Sequence, residues 1–80
     1  MKVKVMVTTK ANVHDPQGTA VERAMHSIGY EGVKHVRIGK YMEFELAVAT
    51  ESEAKEQVEQ MCKMLLSNPV VEDYRYELEA

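Results

Sequence analysis

Val33-Lys34-His35-Val36-Arg37-Ile38-Gly39-Lys40-Tyr41-Met42-Glu43-Phe44-Glu45-Leu46-Ala47-Val48-Ala49 decides the fold, because it sets the number of strands. Val36 and Ile38 alternate with His35 and Arg37. Met42, Phe44, Leu46 and Val48 alternate with Tyr41, Glu43, Glu45 and Ala47. A period of two marks extended chain with one apolar face. Gly39-Lys40 has the chemistry of a tight hairpin turn. The stretch therefore predicts two strands, Val33–Ile38 and Tyr41–Ala49, joined as a hairpin.

Working outward, Lys2 to Thr9 alternates in the same way, with Val3, Val5 and Val7 on one face. Lys10 to His14 reads as a loop. Asp15-Pro16-Gln17-Gly18 then opens a helix that runs to about Ile28. Asp caps a helix well, and Pro loses nothing at a first helical position, where its N–H would be unpaired anyway. Gly18 is not explained by helix chemistry, since glycine there costs up to ~1 kcal/mol relative to Ala. Its missing side chain implies a close approach. Ala20, Val21, Ala24, Met25 and Ile28 form one apolar stripe. Gly29 stands where a left-handed residue ends a helix.

Thr50 with Glu53 fits a capping box and starts a second helix, striped by Ala54, Val58, Met61, Cys62 and Leu65. Asn68-Pro69 ends it, and Val70 to Leu78 forms the last strand. The order is β-α-β-β-α-β in one domain spanning 1–80. Two singly striped helices can cover one face of one sheet. The fold class expected is α+β: a two-layer, ferredoxin-like sandwich with both helices on one face of a four-stranded sheet. The other face would carry Lys2, Lys4, His35, Arg37, Glu43, Glu45, Asp73, Arg75 and Glu77, with Met6, Tyr41 and Ala47 adding apolar area. Opposite charges would stand side by side there, as a solvated face or a polar interface.

Composition limits the function. Eighty residues bury only about 60–65% of their unfolded surface. Domains this small often gain stability by oligomerising. A net charge of −3 disfavours broad binding to nucleic acid or anionic membrane. One cysteine, Cys62, allows no internal disulfide and favours a reducing cytoplasm. The Lys/Val alternation at the start is unlike a signal peptide, and no apolar run reaches bilayer length.

No reaction centre emerges. His14, His26 and His35 lack ligand spacing with one another or with Cys62, which a metal site would need. Cys62 lies on an apolar stripe, where a thiol behaves as a small hydrophobe. Ser27, Ser52 and Ser67 lack a strand-turn-helix elbow. Glu43 and Glu45 read as members of an ion-pair ladder rather than a dry acid–base pair. There is no phosphate-cradling glycine motif beyond Gly18 and the cations Arg37 and Lys40. The strand order is that of an RNA-recognition module, but one aromatic and two acids on the open face are wrong for stacking bases.

Taken together, Asp15-Pro16-Gln17-Gly18 with Ala20-Val21, Val36-Arg37-Ile38-Gly39-Lys40, Glu43-Phe44-Glu45-Leu46 and Asn68-Pro69-Val70-Val71-Glu72-Asp73-Tyr74 resemble the PurS family. These are the small subunits of phosphoribosylformylglycinamidine (FGAM) synthase, in purine biosynthesis. The resemblance covers the whole chain. It implies a non-catalytic homodimer or higher oligomer that bridges a glutaminase (PurQ) and an ATP-dependent synthetase (PurL) and assists ammonia transfer. It implies no cofactor on this chain; ATP, Mg and glutamine would be used by the partners. Interface roles are expected for Asp15, Gln17, Gly18, Arg37, Gly39, Lys40, Asn68, Glu72 and Tyr74, without a catalytic or metal-binding residue. Strand order and a dimer would also suit a small metabolite-binding regulatory module of ACT-like type.

Overall fold

A computed structural model describes residues Met1 to Ala80. The elements are β1 (Lys2–Thr9), α1 (Pro16–Ser27), β2 (Lys40–Glu45), α2 (Glu51–Met61), a π turn (Cys62–Leu66) and β3 (Glu72–Glu79). The sheet has three strands in the order β2-β1-β3. Both pairings are antiparallel, with Val5 opposite Met42 on one side and Tyr76 on the other. The C-terminal strand thus pairs with β1 of its own chain.

The period-two pattern places the core. Val3, Val5 and Val7 are buried, and Val58 and Cys62 of the α2 segment join them. Met42, Phe44, Leu46, Tyr74, Tyr76 and Leu78 pack around this cluster and stay partly exposed. The opposite face carries the expected charges in register. Lys2 stands between Glu45 and Glu79, and Lys4 between Glu43 and Glu77. Lys4 Nζ bonds Glu79 at 2.8 Å, and Lys2 Nζ lies 3.8 Å from Glu43. The Glu79 carboxylate, by hydrogen bond first and charge second, raises the Lys4 pKa.

Caps form where the sequence places them. Asp15 accepts from the Gly18 amide, and Thr50 from the Glu53 amide. Gly29 follows α1 with φ +105°. The second helix does not keep α-helical spacing to its end. The Ser67 amide bonds the Cys62 carbonyl, five residues back, at 3.0 Å. This wider turn rotates Leu66 toward the core and leaves Leu65, expected in the stripe, 81% exposed.

The sequence reading fails at its opening stretch. Val33–Ile38 is not a strand, and no backbone hydrogen bond joins it to 40–45. Gly39 lacks the positive φ of a tight primed turn. The chain instead passes through Gly39 into β2 without a turn. A Cβ on Gly39 would lie 2.2 Å from the Val7 carbonyl oxygen, so only glycine fits where the chain leaves the sheet. β2 ends at Glu45 rather than Ala49, and β3 begins at Glu72 rather than Val70.

α1 does not cover the sheet. Of its residues only Gly18 is buried, and the stripe residues Ala20 and Ala24 are exposed. α1 and residues 33–38 lie against each other as an arm. A Gly18 Cβ would sit 2.1 Å from the Val36 carbonyl oxygen. The molecule is elongated, 50 × 25 × 14 Å. Eight β1 residues span about 27 Å and twelve α1 residues about 18 Å, most of the 50 Å length when placed end to end. The radius of gyration is 16.0 Å, where a compact chain of this length has about 12 Å.

Candidate functional site

The root of the arm is the best-organised polar region, and Asp15 is its centre. Its Oδ1 accepts from Gly18 N and its Oδ2 from Ile38 N, each at 2.9 Å. One short side chain, 7% exposed, thus caps α1 and holds the returning chain. The Gly18 amide, then that of Ile38, keeps the Asp15 carboxyl below its usual pKa.

Arg37 closes the other side. Its guanidinium donates to the carbonyls of Val13 (2.6 Å) and Ala11 (2.7 Å) and to the Thr9 hydroxyl (3.3 Å). A planar fork suits such a spread of acceptors. Farther along, Val36 N donates to Glu22 at 3.4 Å, and the His26 ring bonds the Val33 carbonyl at 2.7 Å. His35 has φ +58°, a left-handed backbone uncommon for a residue with a side chain.

Most of the residues expected to form interfaces meet here. Asp15, Gln17, Gly39, Lys40 and Glu72 line one shallow cleft where the arm leaves the sheet. Gly18 and Arg37 stand beside it. Asn68 joins through Glu72, whose Oε1 accepts the Asn68 amide at 2.7 Å. Tyr74 is apart: it faces the apolar side and packs on the core. Arg37 and His35, expected on the charged sheet face, belong to the arm. Thr9, Glu22 and His26 were not expected as partners. Glu22 and His26 bond backbone groups, 14 and 7 residues along the chain, and Thr9 accepts from the Arg37 guanidinium, pairings that side-chain patterns do not encode.

The apolar surfaces are also uneven. Ile28 and Tyr30 at the arm's tip are 73% and 63% exposed, and Met64 and Val70, on either side of the end of the second helix, are exposed as well. Cys62, by contrast, is fully buried, and burial pushes its thiol pKa up, as befits the inert role expected of it. No group of three or more His, Cys, Asp or Glu residues is placed to hold a metal ion. No helix is long and apolar enough to cross a membrane.

Comparison with known proteins gives one consistent result. The family model of PurS, described as phosphoribosylformylglycinamidine (FGAM) synthase, matches residues 2–80. The PurS subunit of this synthase from Bacillus subtilis is 51% identical over 78 residues, 98% of this chain and 92% of the relative. A crystal form of B. subtilis PurS superposes with TM-score 0.87 over 99% of this chain and 98% of that one, at 51% identity. A chain of PurLQS from Thermotoga maritima has TM-score 0.85 and 36% identity, covering 95% and 93% of the two chains. The match takes in sheet, arm and second helix alike, and the chain belongs to the PurS family of FGAM synthase subunits.

Proposed function

We propose that this chain is a non-catalytic assembly subunit of FGAM synthase in purine biosynthesis. It acts as a homodimer that bridges a PurL-type synthetase and a PurQ-type glutaminase in the cytoplasm. The observation that carries this reading is similarity over almost the full chain to PurS subunits, among them the chain in the Thermotoga maritima PurLQS structure. The open form supports it too, because a chain with only nine buried residues has surface to give to partners.

The subunit's contribution is geometric. Ammonia released by a glutaminase is protonated in bulk water, so joining the two enzymes and excluding water at their junction preserves it. Glutamine, ATP and Mg are held by the partners, and no cofactor is bound by this chain. The cleft of Asp15, Gln17, Gly39, Lys40 and Glu72, with Gly18, Arg37 and Asn68 around it, builds the dimer and docking surfaces. Tyr74 supports them from the core.

The test is reconstitution. The purified chain is mixed with a synthetase and a glutaminase of these types, and co-elution and glutamine-dependent turnover are measured. A stable complex with glutamine-dependent activity is expected; separate elution and unchanged turnover would exclude the role.

A further inference from the structure

The end of the second helix turns apolar side chains outward. Met64, Leu65 and Val70 are 84%, 81% and 79% exposed, the three most exposed large apolar side chains of the protein. Apolar residues scattered singly over a surface are ordinary, but these three fall within seven residues. Their exposure is built rather than slack. A regular α-helix would carry Leu65 inward with Val58 and Cys62. The π turn gives that place to Leu66, and the Ser67 hydroxyl and amide both close on the Cys62 carbonyl, at 2.8 and 3.0 Å. Turns of this kind are rare and occur frequently at functional sites.

Beyond Pro69 the backbone is equally fixed. The Val70 amide donates to Asn68 Oδ1 at 3.1 Å, and the Asn68 carbonyl accepts from Val71 and Glu72 at 3.1 and 2.7 Å. The Lys10 amide donates to the Val71 carbonyl at 2.9 Å, which ties this turn to the end of β1. Glu72, its last residue, lines the cleft at the arm's root. The apolar stretch is therefore continuous, through Glu72, with the docking region already described.

The charges beside it define what covers it. α2 exposes Glu51, Glu53, Glu56 and Glu59. Lys55 and Lys63 are the cations of residues 51–66, and Lys55 is held by Glu51 at 3.7 Å. No ion pair reaches Glu53, Glu56 or Glu59. A second copy docked here about a two-fold axis would set carboxylates against carboxylates, and facing like charges are costly. A basic partner gains where a second copy loses.

We propose that Met64, Leu65 and Val70 dock one enzyme partner of the synthase assembly, whose facing surface is an apolar hollow bordered by Lys and Arg side chains. The apolar side chains supply affinity as they leave water, and the α2 carboxylates set orientation and the speed of encounter. The docking site rests on the assembly reading above and gives it a location.

The test titrates the full chain into a mixture of a PurL-type synthetase and a PurQ-type glutaminase at low and high salt. Light scattering gives the mass of the chain alone. Met64→Ala with Leu65→Ala, and separately Val70→Ala, probe the apolar part; Glu53→Gln with Glu56→Gln probes the border. The apolar variants should keep wild-type mass and circular dichroism, and weaken assembly about tenfold for the double variant and about threefold for Val70→Ala. The Glu variant should associate more slowly and with a flatter dependence on salt. Wild-type affinity in either apolar variant, or loss of the chain's own oligomeric mass, overturns the docking site and leaves the assembly reading standing. Unchanged salt dependence in the Glu variant overturns the basic partner. No assembly by the wild-type chain overturns both readings.

Discussion

Asp15 and Ile38, 23 residues apart, are joined by a 2.9 Å hydrogen bond from the Ile38 amide to a carboxylate that also caps α1. The helix start and the end of the returning segment therefore share one anchor. Asp15→Asn keeps one acceptor oxygen but offers an NH2 group in place of the other, so one of the two amides loses its partner. Asp15→Ala loses both. Amide hydrogen exchange at Gly18 and Ile38 should accelerate in the order wild type, Asp15→Asn, Asp15→Ala. Equal protection in all three would remove Asp15 from its anchoring role.

The same anchor sets an acid limit. Its folded pKa lies below the ordinary value of 3.8, so the folded state binds the proton less readily than the unfolded chain. The stabilisation is complete above the unfolded value and fades as pH falls through the folded one. Exchange at Ile38 should stay slow from neutral pH to about 4 and rise only below it, once corrected for intrinsic exchange.

Gly18→Ala puts two effects in opposition. Alanine strengthens a helix interior by about 1 kcal/mol. Its Cβ would fall 2.1 Å from a backbone carbonyl of the arm, which cannot yield as a side-chain tip does. Overpacking of this kind costs about 1–3 kcal/mol. A lower Tm is expected, and a higher one would show that close packing is not why glycine is there.

Arg37→Ala releases three acceptors at the arm's root and leaves the sheet untouched. Circular dichroism should be unchanged while binding to the synthetase and glutaminase weakens. Arg37→Lys should restore little, because one ammonium cannot span Thr9, Ala11 and Val13 as a fork does. Full binding by Arg37→Ala would show that the root does not shape the docking surface.

The π turn makes adjacent leucines unequal. Leu65→Ala should alter stability by no more than about 0.5 kcal/mol, as at other exposed sites. Leu66→Ala should cost more, because Leu66 packs on the core. Val58→Ala, in a five-residue core, should cost about 1.5–3 kcal/mol. Urea unfolding orders the three, and equal losses at Leu65 and Leu66 would argue for an ordinary α-helical end.

Tyr76 provides an alkaline marker. Burial, then its hydrogen bond to Glu59, pushes its pKa up to about 12. The folded state keeps this proton more tightly than the unfolded chain. Its contribution is therefore complete below the ordinary tyrosine value of about 10 and is lost as pH rises through 12. Absorbance titration should show one phenol ionising last, and Tyr76→Phe should remove that step.

What the sequence determined by itself is local. Alternation placed Val3, Val5 and Val7 in the core and set Lys2 and Lys4 among Glu43, Glu45 and Glu77. Capping chemistry marked Asp15 and Thr50 as helix starts, and Gly18 announced a close contact. The ordered motifs identified the family. Each signal arises from neighbours in the chain, where periodicity and backbone preference act directly. Tertiary structure alone decided which strands pair, because an extended segment has the same pattern whichever edge it meets. Gly39-Lys40 suits a tight turn and a straight hinge equally, so the sequence read a hairpin where the chain runs on. The Ile38 amide on Asp15 and the Val13 and Ala11 carbonyls on Arg37 were also out of sight, being backbone groups whose positions exist only once the arm has formed.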